Sequence, residues 1–98
     1  MIYVIATLNV KPEKRDVTIA AAKIAIAETG KEKGCRSYDM HVSVTDPNTF
    51  VFVERWDDRD CLSAHMKMPH FLEWRKVAGE ALVSRKLEII APEKVEVM

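Results

Sequence analysis

Ninety-eight residues make a single domain, in which fifteen basic and fifteen acidic side chains cancel. A neutral chain without a basic run offers no electrostatic footprint for nucleic acid or an anionic membrane, so neither is an expected partner. No stretch approaches the roughly 18 apolar residues needed to span a bilayer. Residues 2–10 read as a strand, with Ile2, Val4, Ala6, Leu8 and Val10 on one face and Tyr3, Ile5, Thr7 and Asn9 on the other. This opening stretch, MIYVIATLNV, has neither a basic leader region nor a small-residue cleavage site, so a cytoplasmic location is expected. Pro12 ends the strand and suits a first helical turn. Residues 13–30 read as an alanine-rich helix closed by Gly30 or Gly34. Ile19, Ala22 and Ile26 are assigned to its sheet-facing side, which leaves Val17, Ala21 and Ile24 for contact with another chain.

A hairpin follows. Tyr38, Met40, Val42 and Val44 alternate with Asp39, His41, Ser43 and Thr45, and Asp46-Pro47-Asn48 supplies the turn. Phe50 to Trp56 is the partner strand, with Phe50, Phe52, Glu54 and Trp56 on one face and Val51, Val53 and Arg55 on the other. Asp57 or Asp58 can cap the next helix. Pro69 lacks an N–H and forces that helix to kink or restart, placing Phe71, Trp74, Ala78 and Leu82 on a common side. Leu87 to Val97 is expected to be the last strand, bulged at Pro92. Cys35 and Cys61 match no metal-binding or redox spacing and read as two reduced thiols.

The order β-α-β-β-α-β is the ferredoxin-like α+β pattern, a four-stranded antiparallel sheet with its helices on one face. The central strands carry apolar groups on both faces, yet two helices cover only one. A twofold homodimer that packs sheet against sheet, a dimeric α+β barrel, resolves the mismatch.

Glu54-Arg55-Trp56, Leu62, Ala64-His65 and Pro69-His70-Phe71 resemble the signature of the antibiotic-biosynthesis monooxygenase domain family, in particular its quinol-monooxygenase-like members. Gly34-Cys35, with Tyr38 shortly after, is similar to that family's turn into its second strand. The resemblance implies a dimeric barrel, a pocket between sheet and helices, and oxygenation of a quinol or other electron-rich aromatic by O₂ without cofactor. Heme-degrading relatives use a tryptophan and a histidine on the second helix. Here His65 and Arg75 stand at those places, which argues against heme degradation.

Within that frame His65, Glu54 and Asn9 are the catalytic candidates, and Phe52, Phe71 and Trp74 the substrate-binding ones. An imidazole ionises near neutrality and can take a phenolic proton. The resulting phenolate can pass an electron to O₂. His65 can equally be a structural histidine bonded to a carboxylate, with Glu54 the obvious partner. Glu54, if inward, needs a partner itself, for which His65, Arg75 and the basic residues of the last strand are available. Asn9 can offer an amide to a substrate oxygen. His70 is read as relieving backbone groups freed at Pro69, and His41 as exposed. His65 and His70, five residues apart, do not share a helix face, so no metal site and no cofactor is expected. The competing functions are a non-catalytic ligand-binding or structural dimer, and an isomerase or degradation enzyme for a small oxygenated metabolite.

Overall fold

The computed structural model describes residues 1–98. Its elements run β1 (Ile2–Val10), α1 (Arg15–Thr29), β2 (Cys35–Val42), β3 (Thr49–Trp56), α2 (Arg59–His65), α3 (Pro69–Ala81) and β4 (Leu82–Ile90). One antiparallel sheet holds the strands in the order β2-β3-β1-β4. This is the ferredoxin-like α+β fold, with its second helix split into α2 and α3.

The side-chain alternation in β1 and β3 decides which face is buried. Val4, Ala6, Leu8 and Val10 of β1 and Phe50, Phe52, Glu54 and Trp56 of β3 are all buried, with Tyr38 of β2 beside them. They pack under Ala22 and Ala25 of α1, Leu62 of α2 and Trp74, Ala78 and Ala81 of α3. On the opposite face Tyr3, Ile5, Thr7, Asn9, Val51 and Val53 are only half-buried.

Three expectations need correction. The buried stripe of α1 is Thr18, Ala22, Ala25 and Thr29, with Ile19 and Ile26 flanking it half-buried. Small side chains occupy the stripe, and the larger isoleucines fill its margins. Strand β2 stops at Val42, and Val44 is fully exposed. Asp46 accepts from the Asn48 backbone N–H and the Thr49 hydroxyl, and this local bonding draws the chain into a wide turn. Strand β4 begins at Leu82 and ends at Ile90, so Pro92 lies beyond it and bulges nothing. Leu82 continues the apolar spacing of α3 but pairs with Val10 of β1, and the ladder overrides the helical periodicity.

Candidate functional site

A cavity of about 440 Å³ lies between the sheet and α3. Ala6, Leu8, Phe52 and Tyr38 form its floor, Phe71, Trp74 and Ala78 its roof, and Leu82 and Leu87 one side. Phe52 and Trp74 meet edge to face with ring centroids 5.3 Å apart, and Tyr38 leans on Phe52 at 5.0 Å. The three residues expected to bind substrate, Phe52, Phe71 and Trp74, therefore line one space.

Glu54 is the acidic residue in the lining. Its side chain belongs to the buried face of β3, and the residue is 6% exposed. No histidine, arginine or lysine lies within ion-pair distance of it. Oε1 instead accepts from the indole Nε1 of Trp56 at 3.0 Å. This corrects the expected ion pair with His65, Arg75 or β4. Burial raises the Glu54 pKa to about 7, against the opposing pull of the Trp56 N–H, and Glu32 raises it further. The carboxyl is thus poised to exchange a proton near neutrality.

His65 has a different partner. Its Nδ1 lies 2.7 Å from Oε2 of Glu32, and Nε2 of His70 lies 2.8 Å from the same oxygen. A carboxylate oxygen only accepts, so each ring nitrogen donates to it. The break at Pro69 makes this convergence possible. Met66, Lys67 and Met68 close tight turns onto Leu62, Ala64 and His65, and α3 then starts afresh. His70 serves Glu32 and not the freed backbone, contrary to expectation. The His65 ring is sandwiched among Trp56, Phe71 and Tyr38, with centroids 4.8, 4.8 and 5.2 Å away, and is 1% exposed. It sits behind the cavity wall and is not one of the lining residues. Its Nε2 is buried without a partner. Burial lowers the His65 pKa despite the raising effect of Glu32, which favours the neutral ring.

Asn9 does not join this site. It points to the opposite face of β1, where it donates to the Ser84 hydroxyl at 2.9 Å and accepts from the Thr49 hydroxyl at 2.7 Å. Its amide ties β4 to β3 across β1.

The profile of the antibiotic biosynthesis monooxygenase family matches residues 1–77. The chain belongs to this family. The Bacillus subtilis protein YcnE, provisionally named a monooxygenase, is 32% identical over 96 residues, covering 98% of this chain and all of that one. The solved structure of Rv0793 from Mycobacterium tuberculosis superposes with a TM-score of 0.90 at 32% identity, covering 98% of each chain. A structure from Nitrosomonas europaea, provisionally named an antibiotic biosynthesis monooxygenase, gives 0.91 at 26% identity and covers 96% of this chain and 100% of its own. Family and relatives support a monooxygenase-like function acting on a small molecule.

The family motifs of this chain give the cavity Glu54 and Phe71, and place His65 and His70 behind its wall. Glu54-Arg55-Trp56 lies in β3, Ala64-His65 ends α2, and Pro69-His70-Phe71 opens α3. The profile match ends inside α3, while the structural matches extend over β4. Glu32, absent from the sequence expectations, is the carboxylate that joins α2 to α3. It lies in the turn between α1 and β2, where no periodicity marks it. With His65 and His70 it offers three donor atoms within 4.8 Å of one another, a two-histidine, one-carboxylate set of the kind transition metals accept. Although His65 and His70 do not share a helix face, the break at Pro69 brings them to one carboxylate. The same three groups are already matched as two hydrogen bonds.

Proposed function

We propose that this protein is a monooxygenase for a quinol or other electron-rich hydroxyarene, with O₂ as co-substrate and no added cofactor. The carrying observation is Glu54, a buried carboxyl with a pKa near 7 that opens on an apolar, aromatic-walled cavity. One of its oxygens is held by Trp56, and the other is free for a substrate hydroxyl. Removal of the phenolic proton by Glu54 makes an electron-rich phenolate, which delivers electrons to O₂ directly. One oxygen atom enters the ring and the other leaves as water. The quinol loses four electrons in becoming a hydroxyquinone, so O₂ is fully reduced without an outside reductant. Phe52, Phe71 and Trp74 stack on the ring and keep water away from it. His65 acts from behind the wall, where Glu32 orients it. Asn9 has no part in this scheme.

The working unit is a homodimer in the cytoplasm. The half-buried apolar groups on the open sheet face support the dimer. Oxygen uptake tests the proposal. Under air, a panel of benzo- and naphthohydroquinones should include one consumed with one O₂ per quinol, at a rate well above buffer alone. Tight binding of the panel without any uptake above buffer would leave the cavity as a binding site and sink the proposal.

A further inference from the structure

The cavity carries charge that the proposed reaction does not use. Arg75 lines it from α3 and Arg85 from β4. Arg85 pairs with Leu8 across the ladder, so it stands on the same face as the cavity floor. Neither guanidinium has a carboxylate within ion-pair distance or a hydrogen bond to the rest of the chain. Most other cations near the sheet are matched. Arg36 pairs with Asp57, Arg55 donates to Ser37 at 2.9 Å, and Lys86, which also lines the cavity, approaches Glu88 at 3.7 Å. The remaining ionisable acid of the lining, Glu54, is held by Trp56. Two unpaired arginines thus line one apolar space, one from α3 and one from β4. Arginine is the side chain best suited to hold a planar oxyanion, because its fork of N–H groups matches a carboxylate with two parallel hydrogen bonds.

We infer that the substrate is an anionic hydroxyarene, one that bears a carboxylate or similar acidic group held by Arg75 and Arg85 while its ring lies against Phe52 and Trp74. This deepens the functional proposal and rests on it for the chemistry, but the recognition it describes needs no turnover. An acid held at the arginines directs the ring hydroxyl away from them and toward Glu54. The arginines also favour the phenolate over the phenol within the cavity. Two exposed, unpaired arginines can be replaced with little consequence for folding.

The test compares 6-hydroxy-2-naphthoate, whose acid and hydroxyl stand at opposite ends of the ring system, with 2-naphthol, followed through quenching of tryptophan fluorescence. Neither probe needs to react. The wild-type protein should bind the acid at least about 10-fold more tightly, equivalent to about 1.4 kcal/mol. That preference should shrink as salt rises from 20 to 500 mM, since the guanidiniums are partly exposed. In the Arg75→Ala/Arg85→Ala double variant the ratio should fall to within about 3-fold of one. Equal affinities in the wild type would overturn the inference, as would a preference that survives the double substitution. Uptake of O₂ with neutral hydroquinones alongside equal affinities would sink the anionic class and leave the oxygenase. A preference for the acid with no uptake for any dihydroxyarene acid would do the reverse.

Discussion

Glu32 holds two histidines on one oxygen atom, and each of the three gains something different from the arrangement. His65 is the costly partner to lose, because its ring is fully enclosed by Trp56, Phe71 and Tyr38. Replacing Glu32 with Ala strands the buried Nδ1 donor, and leaving such a donor unmatched costs about 1–3 kcal/mol. His70 is partly exposed and can turn to water. Urea unfolding should therefore rank Glu32→Ala as the more damaging change and His70→Ala as the milder. The reverse order would mean that the triad does not join α2 to α3. The sequence alone gave no access to this triad. Glu32 stands 33 residues before His65 in a polar turn, and only the chain break at Pro69 brings His70 round to it. Glu54 was legible as an inward carboxylate because it alternates with Phe52 and Trp56, but its partner was not. A tryptophan two positions along the same strand face is easily counted as core before it is counted as a donor.

At the scale of elements the alternation in β1, β2 and β3 and the punctuation by Pro12, Asp58 and Pro69 were readable. Asp58 caps α2 by accepting from the Cys61 N–H at 2.9 Å. The limits of β2 and β4 were not readable, since pairing and turn bonding set them from outside the segment. Two glycines separate local rules from tertiary ones. Gly34 has φ of 78°, and an added Cβ would lie 2.8 Å from the Cys61 Cβ and closer still to its sulfur. Strain and clash there should cost Gly34→Ala more than about 2 kcal/mol. Gly79 sits inside α3 with nothing within 4 Å of an added Cβ. Gly79→Ala should raise stability by about 0.5–1 kcal/mol through lower backbone entropy in the unfolded chain. Thermal melting of the two variants checks both signs. A Gly34→Ala protein as stable as the parent would show that β2 does not meet α2 as closely as described.

At the scale of the molecule the sheet is the dividing plane. One face holds the core, the cavity and the triad. The other presents Tyr3, Ile5, Val51 and Val53, half-buried and with no helix above them. A homodimer packed through this face should bury roughly 2,000 Å² or more in total, as obligate dimers do. Light scattering at micromolar concentration should give twice the chain mass of 11.2 kDa. Ile5→Asp should yield a monomer, because a charge cannot be buried there without a partner. A monomeric parent would contradict the dimer. The role of Glu54 as the base of that cavity is tested by the pH dependence of oxygen uptake for wild type and Glu54→Gln with the best hydroquinone found. A base with a pKa of about 7 is active when ionised, so the wild-type rate above buffer should rise from pH 5 to 9 with a midpoint near 7. Glu54→Gln should fold normally and lose about 100-fold or more of that rate, with the midpoint gone. A Glu54→Gln enzyme with wild-type rate and an unchanged profile would show that the proton goes elsewhere.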